Sequence, residues 1–263
     1  MTVASFAHDD GAALARALLT RYVLVVGGRA LRIEEAEVYF HAEGWRDPFT
    51  HRHPRQGAPG RWYFHRAGAS ATYRGGSFKG LDLTFGPPGA WGGVLIRTIS
   101  DAGDIVTGPS LVVDHLLRSA GARSLAALDD GRAALDTSGA VHLRPQGREA
   151  TVWSTARVGL TLRRDHDDAR TRWLLARLRF LTEPRIAKGR VHTVIALYED
   201  GADARAIAAQ TGCGRVSEYL RRYQTGLAEP SFARFAGRAL GPGDYAELHG
   251  IWTARHGAAT IGA

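Results

Sequence analysis

The feature that most constrains the fold is a hairpin signal near the start of the chain. Residues 22–26 read YVLVV, the next two residues are both glycine, and residues 30–39 form a second stretch in which apolar and polar side chains alternate. Two such runs joined by Gly-Gly are typical of a β-hairpin. We therefore predict a pair of antiparallel strands here.

The second predicted strand carries polar residues where a core strand would carry apolar ones. Alternation places Glu35, Glu37 and Tyr39 on the same face as Ile33. A solvated edge strand would explain two carboxylates on one face. The other interpretation is that the face lines a site whose chemistry needs them.

The remaining sequence predicts an α+β fold. We expect a single curved antiparallel sheet, or open barrel, flanked by helices. A polar loop rich in His, Arg and Pro is expected over residues 41–60, and Leu111, Val112, Leu116 and Leu117 are expected on one side of the second helix. The predicted helices are 10–20 and 109–121, the further strands are 61–73, 81–85, 93–99 and 151–162, and the apolar stretch 173–181 closes the first domain.

The residue pattern changes after Pro184 to one typical of successive helices, which predicts domains at residues 1–184 and 185–263. Helices are predicted at 190–198, 204–210 and 216–223, with Asp203 as an N-cap and Gly212 in a turn. This spacing is typical of a helix-turn-helix, with Val216 and Leu220 facing inward. A helical appendage or a dimerisation module would give the same pattern. The side chains expected to lie mostly outward are Arg215, Glu218, Arg221 and Arg222.

The positive net charge of the chain favours a polyanionic binding partner. The 263 residues carry a formal net charge of +8 at pH 7, and the basic residues are arginines except for Lys79 and Lys188. Arginine binds phosphate through two parallel hydrogen bonds, so nucleic acid is the expected partner. A GC-rich genome would produce the same composition without any such partner.

The sequence also indicates the cellular compartment in which the protein is expected. No apolar run reaches the roughly 18 residues of a membrane span, and the first residues do not resemble a secretory signal. Cys213 is the single cysteine, which fits a reducing compartment. We expect a cytoplasmic protein associated with the nucleoid.

Several short motifs occur in a particular order. They are the strand motif Glu35-Ala36-Glu37-Val38-Tyr39, then Asp47 with His51, Tyr63-Phe64, Tyr73, Val94-Leu95-Ile96-Arg97, Gly108-Pro109 and Arg157-Val158-Gly159. In order and spacing, residues 10–182 resemble the alkyladenine (3-methyladenine) DNA glycosylase family. No single motif is specific, and the resemblance rests on their succession.

The resemblance implies an enzyme that rotates a damaged or modified base out of duplex DNA and hydrolyses its N-glycosidic bond. It implies that Tyr39, His51 and Tyr73 stack on the extruded base. It assigns Glu37 to activating water and stabilising the cationic sugar, and Arg97 to orienting Glu37 or the water. Glu35 is expected to be a structural partner of an arginine.

The expected reaction needs no lysine nucleophile and no cofactor. Lys79 and Lys188 lie outside the matched motifs, so we expect base excision without strand cleavage. We expect the protein to act as a monomer. The run His51–Arg55 suggests zinc, but the spacing of its histidines does not match a closed site. We therefore expect no metal.

The sequence departs from the family pattern at three places. Asp82 stands where the family commonly has Asn, which predicts that Asp82 contacts the base and favours one with an exocyclic amine. A second tyrosine that enters the vacated stack is missing, and Arg74 or Phe78 is expected to replace it. The loop over residues 40–50 is longer than usual, and the segment from Ile186 onward is additional.

Two other classes remain open. A non-catalytic DNA-binding regulator could have the same fold and use Arg215, Arg221 and Arg222 of its helix-turn-helix for DNA contact. An enzyme acting on carbonyl or formyl groups would need a nucleophile or a carrier site, and the sequence does not reveal one.

Overall fold

The chain folds into two compact units. The first comprises Met1–Val152 with Phe180–Thr182, and the second comprises Trp153–Arg179 with Glu183–Ala263. Residues 153–179, which the sequence pattern places in the first domain, thus belong to the second unit. The computed structural model describes residues 8–68, 70–162, 168–235 and 237–257.

Ten strands and seven α-helices occur in these described ranges. The strands are β1 (Tyr22–Val26), β2 (Arg29–Ala42), β3 (Trp45–Arg46), β4 (Trp62–Phe64), β5 (Leu81–Thr84), β6 (Trp91–Asp101), β7 (Asp104–Thr107), β8 (Val141–Pro145), β9 (Trp153–Thr155) and β10 (Arg179–Leu181). The helices are α1 (His8–Arg21), α2 (Pro109–Ser119), α3 (Asp168–Leu175), α4 (Arg190–Glu199), α5 (Ala204–Thr211), α6 (Val216–Ala228) and α7 (Pro242–His256).

The first unit contains a curled antiparallel sheet that forms a half-barrel, so the α+β class and the curved sheet are confirmed. Its main strand order is β4-β5-β6-β2-β1-β8, with β3 and β10 pairing with β2 and β7 pairing with β6. The predicted hairpin is present as β1 and β2, in which Val26 pairs with Arg29 across the glycines.

One face of the sheet is apolar and packs against α1. Cross-strand partners on this face include Val38 with Val94 and Ala36 with Ile96, all of them buried. Helix α1 approaches closely because residue 11 is glycine. A Cβ there would lie 2.8 Å from Val38 and from Phe85.

The strict alternation predicted for β2 is interrupted at Glu35. The register with β6 shifts on both sides of this residue, which lies opposite Thr98, while Ile33 lies opposite Ile99. Such a bulge locally twists the strand and redirects its side chains. Alternation is regular again from Ala36 onward.

Other predictions of local structure were partly wrong. The strand predicted over 61–73 is limited to β4, and the one predicted over 151–162 is limited to β9. In α2, Val112, Val113 and Leu116 are buried but Leu111 is exposed. The predicted loop over 41–60 contains the short strand β3 and a 3-10 turn at Pro54–Gly57.

The second unit is mainly helical, and its core lies between α4, α5 and α6. Asp203 caps α5 by accepting a hydrogen bond from Ala206 N at 2.8 Å, as predicted. Gly212 ends α5 with a φ of +62°. No described helix is long and apolar enough to span a membrane.

Helix α7 was not anticipated from the sequence. It packs so closely on α6 that a Cβ at Gly226 would lie 2.1 Å from Glu247 O, and one at Gly250 would lie 2.0 Å from Tyr223 O. Side chains at either glycine would therefore push the two helices apart.

Candidate functional site

The polar face of the sheet, opposite α1, brings the candidate residues together. Glu37 pairs with Leu95, Leu95 pairs with Asp82, and Asp82 pairs with Tyr63. Directly paired residues of antiparallel strands share a face. These four residues thus form one row across β2, β6, β5 and β4, which we call the cross-strand row.

An ion-pair network occupies the β2 end of the row. Arg97 donates from Nη1 to Glu37 Oε2 at 3.2 Å and from Nε to Glu35 Oε1 at 3.3 Å. Tyr39 Oη donates to the same Glu37 oxygen at 2.8 Å. The hydroxyl of Thr98 donates to Glu35. The solvated-edge interpretation is therefore wrong, because Glu37 is 0 % exposed and Arg97 only 5 %.

The charges of this network depend on one another. Burial alone would lower the pKa of Arg97, but the carboxylates of Glu37 and Glu35 raise it above its usual value. Arg97 is thus a permanent cation between two acids. The sequence-based hypotheses that Arg97 orients Glu37 and that Glu35 partners an arginine both agree with these contacts.

A second polar cluster occupies the β5 and β4 end of the row. Asp82 is 2 % exposed, and both of its oxygens accept hydrogen bonds. One comes from His65 Nε2 at 2.8 Å and the other from Gln56 Nε2 at 3.1 Å. His65 and Gln56 already bind the Asp82 carboxylate, which argues against the expected direct contact between Asp82 and the base.

Aromatic rings surround this second cluster. His51 lies edge-on to His65 with ring centroids 4.5 Å apart, and edge-on to Tyr63 at 6.4 Å. His53 stacks on Tyr63 at 4.8 Å. Desolvation by the surrounding protein, together with the neighbouring His65, lowers the pKa of His51. His51 is therefore expected to be neutral at physiological pH.

Two glycines make room for the cluster. A Cβ at Gly93 would lie 2.6 Å from Asp82 Oδ2, and a Cβ at Gly80 would lie 2.5 Å from the ring of His65. Gly93 is also the register partner of Tyr39. The polar face therefore lacks a side chain at the position of β6 that adjoins both Tyr39 and the Asp82 carboxylate.

Tyr73 and Arg74 lie in a third group of contacts, around Arg66. The guanidinium of Arg66 covers the Tyr73 ring at 4.0 Å from its centroid, and Tyr73 Oη donates to Asp129 at 2.9 Å. Arg74 donates from Nε to Arg66 O at 3.0 Å. No described contact joins Tyr73 to Tyr39 or His51.

A cavity of about 220 Å³ lies near this third group. It shares Asp129, which also accepts hydrogen bonds from Arg55 and Arg66 at 2.7 Å each. Its lining residues are Arg55, Ala58, Arg61, Trp62, Leu128, Asp129, Asp130, Gly131 and Arg132.

The predicted DNA-binding arginines of α6 differ in their contacts. Arg215 forms a two-pronged ion pair with Glu218, with both distances 2.7 Å. Arg222 pairs with the buried Glu247 at 3.4 Å. Arg221 is exposed, and the described residues include no salt bridge to it.

Sequence reasoning missed His65, Gln56 and Tyr63 as site residues. A signal was present, because His65 lies two residues after Tyr63 in the segment RWYFHRAG and alternation places both on one face. Gln56 gave no such signal, since it lies in a 3-10 turn within a loop.

Comparison with known proteins adds little about function. No protein-family model matches the chain. An uncharacterized protein of Acanthamoeba polyphaga mimivirus is 34 % identical over 119 residues, which cover 40 % of this chain and 55 % of the viral protein. The chain thus spans about half the length of this relative.

Proposed function

We propose that the protein is a DNA glycosylase that hydrolyses the N-glycosidic bond of a damaged or modified base. The observation that carries the proposal is the buried ion-pair network of Glu37, Arg97 and Tyr39 at one end of the cross-strand row. The order of motifs that resembles alkyladenine DNA glycosylases supports the same assignment.

We assign Glu37 to stabilising the positive charge that develops on the sugar. Loss of the base leaves positive charge on the sugar ring, and a carboxylate held in a low-dielectric site stabilises such charge strongly. Arg97 holds the Glu37 side chain in place through an ion pair of 3.2 Å, which offsets part of the cost of burying both charges. When substrate binds, Glu37 takes a proton from the attacking water and the electron pair of the broken C–N bond passes to the base.

Aromatic side chains support recognition of an extruded base. Tyr39 and His51 lie at the two ends of the site, and a stacked aromatic contributes about 1–3 kcal/mol per base. Phe78 is 68 % exposed at the end of the 3-10 turn Gly76–Phe78. An exposed apolar side chain of this kind can enter the gap left by a rotated base, a role we assign to Phe78 in preference to Arg74.

The helices α5 and α6 favour an additional contact with DNA. They are joined by a short turn at Gly212 and carry an exposed Arg221, an arrangement like that of a helix-turn-helix. In the second candidate function, a DNA-binding regulator, this module alone would select the sequence and the polar face would have no catalytic role.

Replacement of one carboxylate separates these functions. Duplex DNAs carrying varied lesions and modified bases are incubated with the protein, and released bases are identified by mass spectrometry. We expect Glu37→Gln to lower the rate of release by roughly 10²–10⁴ while duplex binding is retained.

Glu34→Gln is the matched control. Glu34 lies on the same strand, is also buried, and pairs with Arg148 at 2.7 Å, so its loss tests stability without touching the site. Release of no base by the wild type from any DNA, together with preference for particular sequences, would establish the regulator instead.

A further inference from the structure

A chain of hydrogen bonds leads from the backbone to one ring nitrogen of His65. His53 N donates to Gln56 Oε1 at 3.2 Å, and Gln56 Nε2 donates to Asp82 Oδ2 at 3.1 Å. The second oxygen of Asp82 contacts His65 Nε2 at 2.8 Å. All four residues belong to the first unit.

The first hydrogen bond determines which group donates and which accepts in each of the others. A backbone N–H can only donate, so the oxygen of the Gln56 side chain must face His53 and its amide nitrogen must donate to Asp82. An ionised carboxylate only accepts, so His65 Nε2 carries a hydrogen. In the neutral form of such an imidazole the lone pair lies on Nδ1, and this nitrogen is an acceptor.

We propose that His65 Nδ1, rather than Asp82, contacts the edge of the base, and that it selects bases bearing an exocyclic amine. The described residues include no hydrogen-bond partner for this nitrogen. This inference rests on the proposed function, since it names the class of base that the same site accepts: adenine-like and cytosine-like bases rather than their oxo counterparts.

The position of His65 fits this role. It follows Tyr63 by two residues, so it continues the polar face beyond the cross-strand row. Asp82, which orients it, is two strand spacings from Glu37, or about 10 Å. A base could thus lie between a carboxylate at its sugar and an imidazole at its far edge. Asp82 is a positioning residue in this arrangement.

Asp82→Asn is expected to reverse the selection. Gln56 still donates, so the oxygen of Asn turns towards Gln56 and its NH₂ group turns towards His65. The Nε2 atom must then accept, the hydrogen moves to Nδ1, and this nitrogen becomes a donor that favours a carbonyl.

Asp101→Asn is the control. Asp101 also accepts from a histidine, His115, at 2.9 Å, but it lies outside the proposed site.

Two measurements on the full chain test the inference. Nitrogen-15 NMR of labelled histidines reports the tautomer of His65 and needs no catalytic activity. Fluorescence anisotropy compares the affinity for duplexes with a mismatched adenine or hypoxanthine, or a mismatched cytosine or uracil, in a Glu37→Gln background that prevents base release.

We expect the Nε2–H tautomer and at least about tenfold tighter binding of the amino member of each pair, corresponding to about 1.4 kcal/mol. With Asp82→Asn we expect the Nδ1–H tautomer and the opposite preference, and with Asp101→Asn no change. An Nδ1–H tautomer in the parent protein overturns the inference, and so do equal affinities within each pair or a preference that Asp82→Asn leaves unaltered. Absence of base release by the wild type contradicts the proposed function alone, because both measurements remain possible.

Discussion

Replacement of Arg97 by methionine tests whether the ion-pair network is as buried as its geometry indicates. The change keeps much of the side-chain volume and removes the charge between Glu35 and Glu37. At 3.2 Å and an effective dielectric constant of about 20, each charge pair contributes about 5 kcal/mol of Coulomb attraction. Part of this only offsets the cost of burying the charges, so the net loss is smaller.

We expect Arg97→Met to lower the free energy of unfolding of the first unit by about 3–5 kcal/mol, the range for a buried charge left without its partner. Total stabilities are about 5–15 kcal/mol, so the loss is readily measured by urea denaturation followed by circular dichroism. Arg148→Met is the matched control, because Arg148 also pairs with a buried glutamate, Glu34, but its side chain is 24 % exposed. Water can replace part of its contact, so its loss should be smaller.

One further result would follow from the same reasoning. Adding Glu35→Gln and Glu37→Gln to Arg97→Met should restore much of the stability, since no unpaired charge then remains. A loss no larger than that of Arg148→Met, or no recovery in the triple variant, would refute a buried network.

The remaining predictions concern a histidine pair and a glycine. In the second unit, His192 Nδ1 and His249 Nε2 lie 3.1 Å apart, and burial lowers the pKa of both residues. The unfolded chain therefore binds more protons, and the stability of this unit, present above pH 6.5, should fall as the pH drops below that value. Thermal unfolding between pH 7.5 and 5 measures this fall, which His249→Leu should reduce; an equal fall in the variant would exclude the pair as its cause. Gly93→Ala should displace the Asp82 carboxylate, since its Cβ would lie 2.6 Å from Oδ2, so the histidine NMR signals of His65 should shift while those of His192 stay unchanged.

The first hairpin was predictable because its signal is local. The apolar run, the glycine pair and the alternating strand lie within about 20 residues, and each agrees with the others. Helix α5 was predictable for the same reason, since Asp203 and Gly212 mark its two ends. Strand β4 was overestimated because the apolar and aromatic residues of 61–73 continue beyond the point where pairing with β5 stops.

The site was only half predictable. Glu37, Tyr39 and Arg97 lie on long strands whose period reports the face of each side chain, and the structure joins all three. Gln56 and the contact of Asp82 with His65 depend on a loop that folds back over the sheet, and loop geometry has no period. The bulge at Glu35 shows the same limit within a strand, because the shift of register leaves no mark in the sequence.

Glu37 is fully buried, so a substrate can reach it only after a neighbouring side chain moves. Leu95 lies between the Glu37 network and the Asp82 cluster, and the next position of β6 on the same face is Gly93, which lies opposite Tyr39 and has only a hydrogen atom there. Rotation of Tyr39 away from Glu37 would open this position without displacing any other side chain of β6, since Gly93 has none. Tyr39→Phe, which loses the 2.8 Å hydrogen bond but keeps the ring, therefore separates two roles of the tyrosine. If the hydroxyl only holds the site closed, the variant should bind duplex DNA with a mismatched base at least as tightly as the parent, whereas a hydroxyl that contacts the base would make binding weaker.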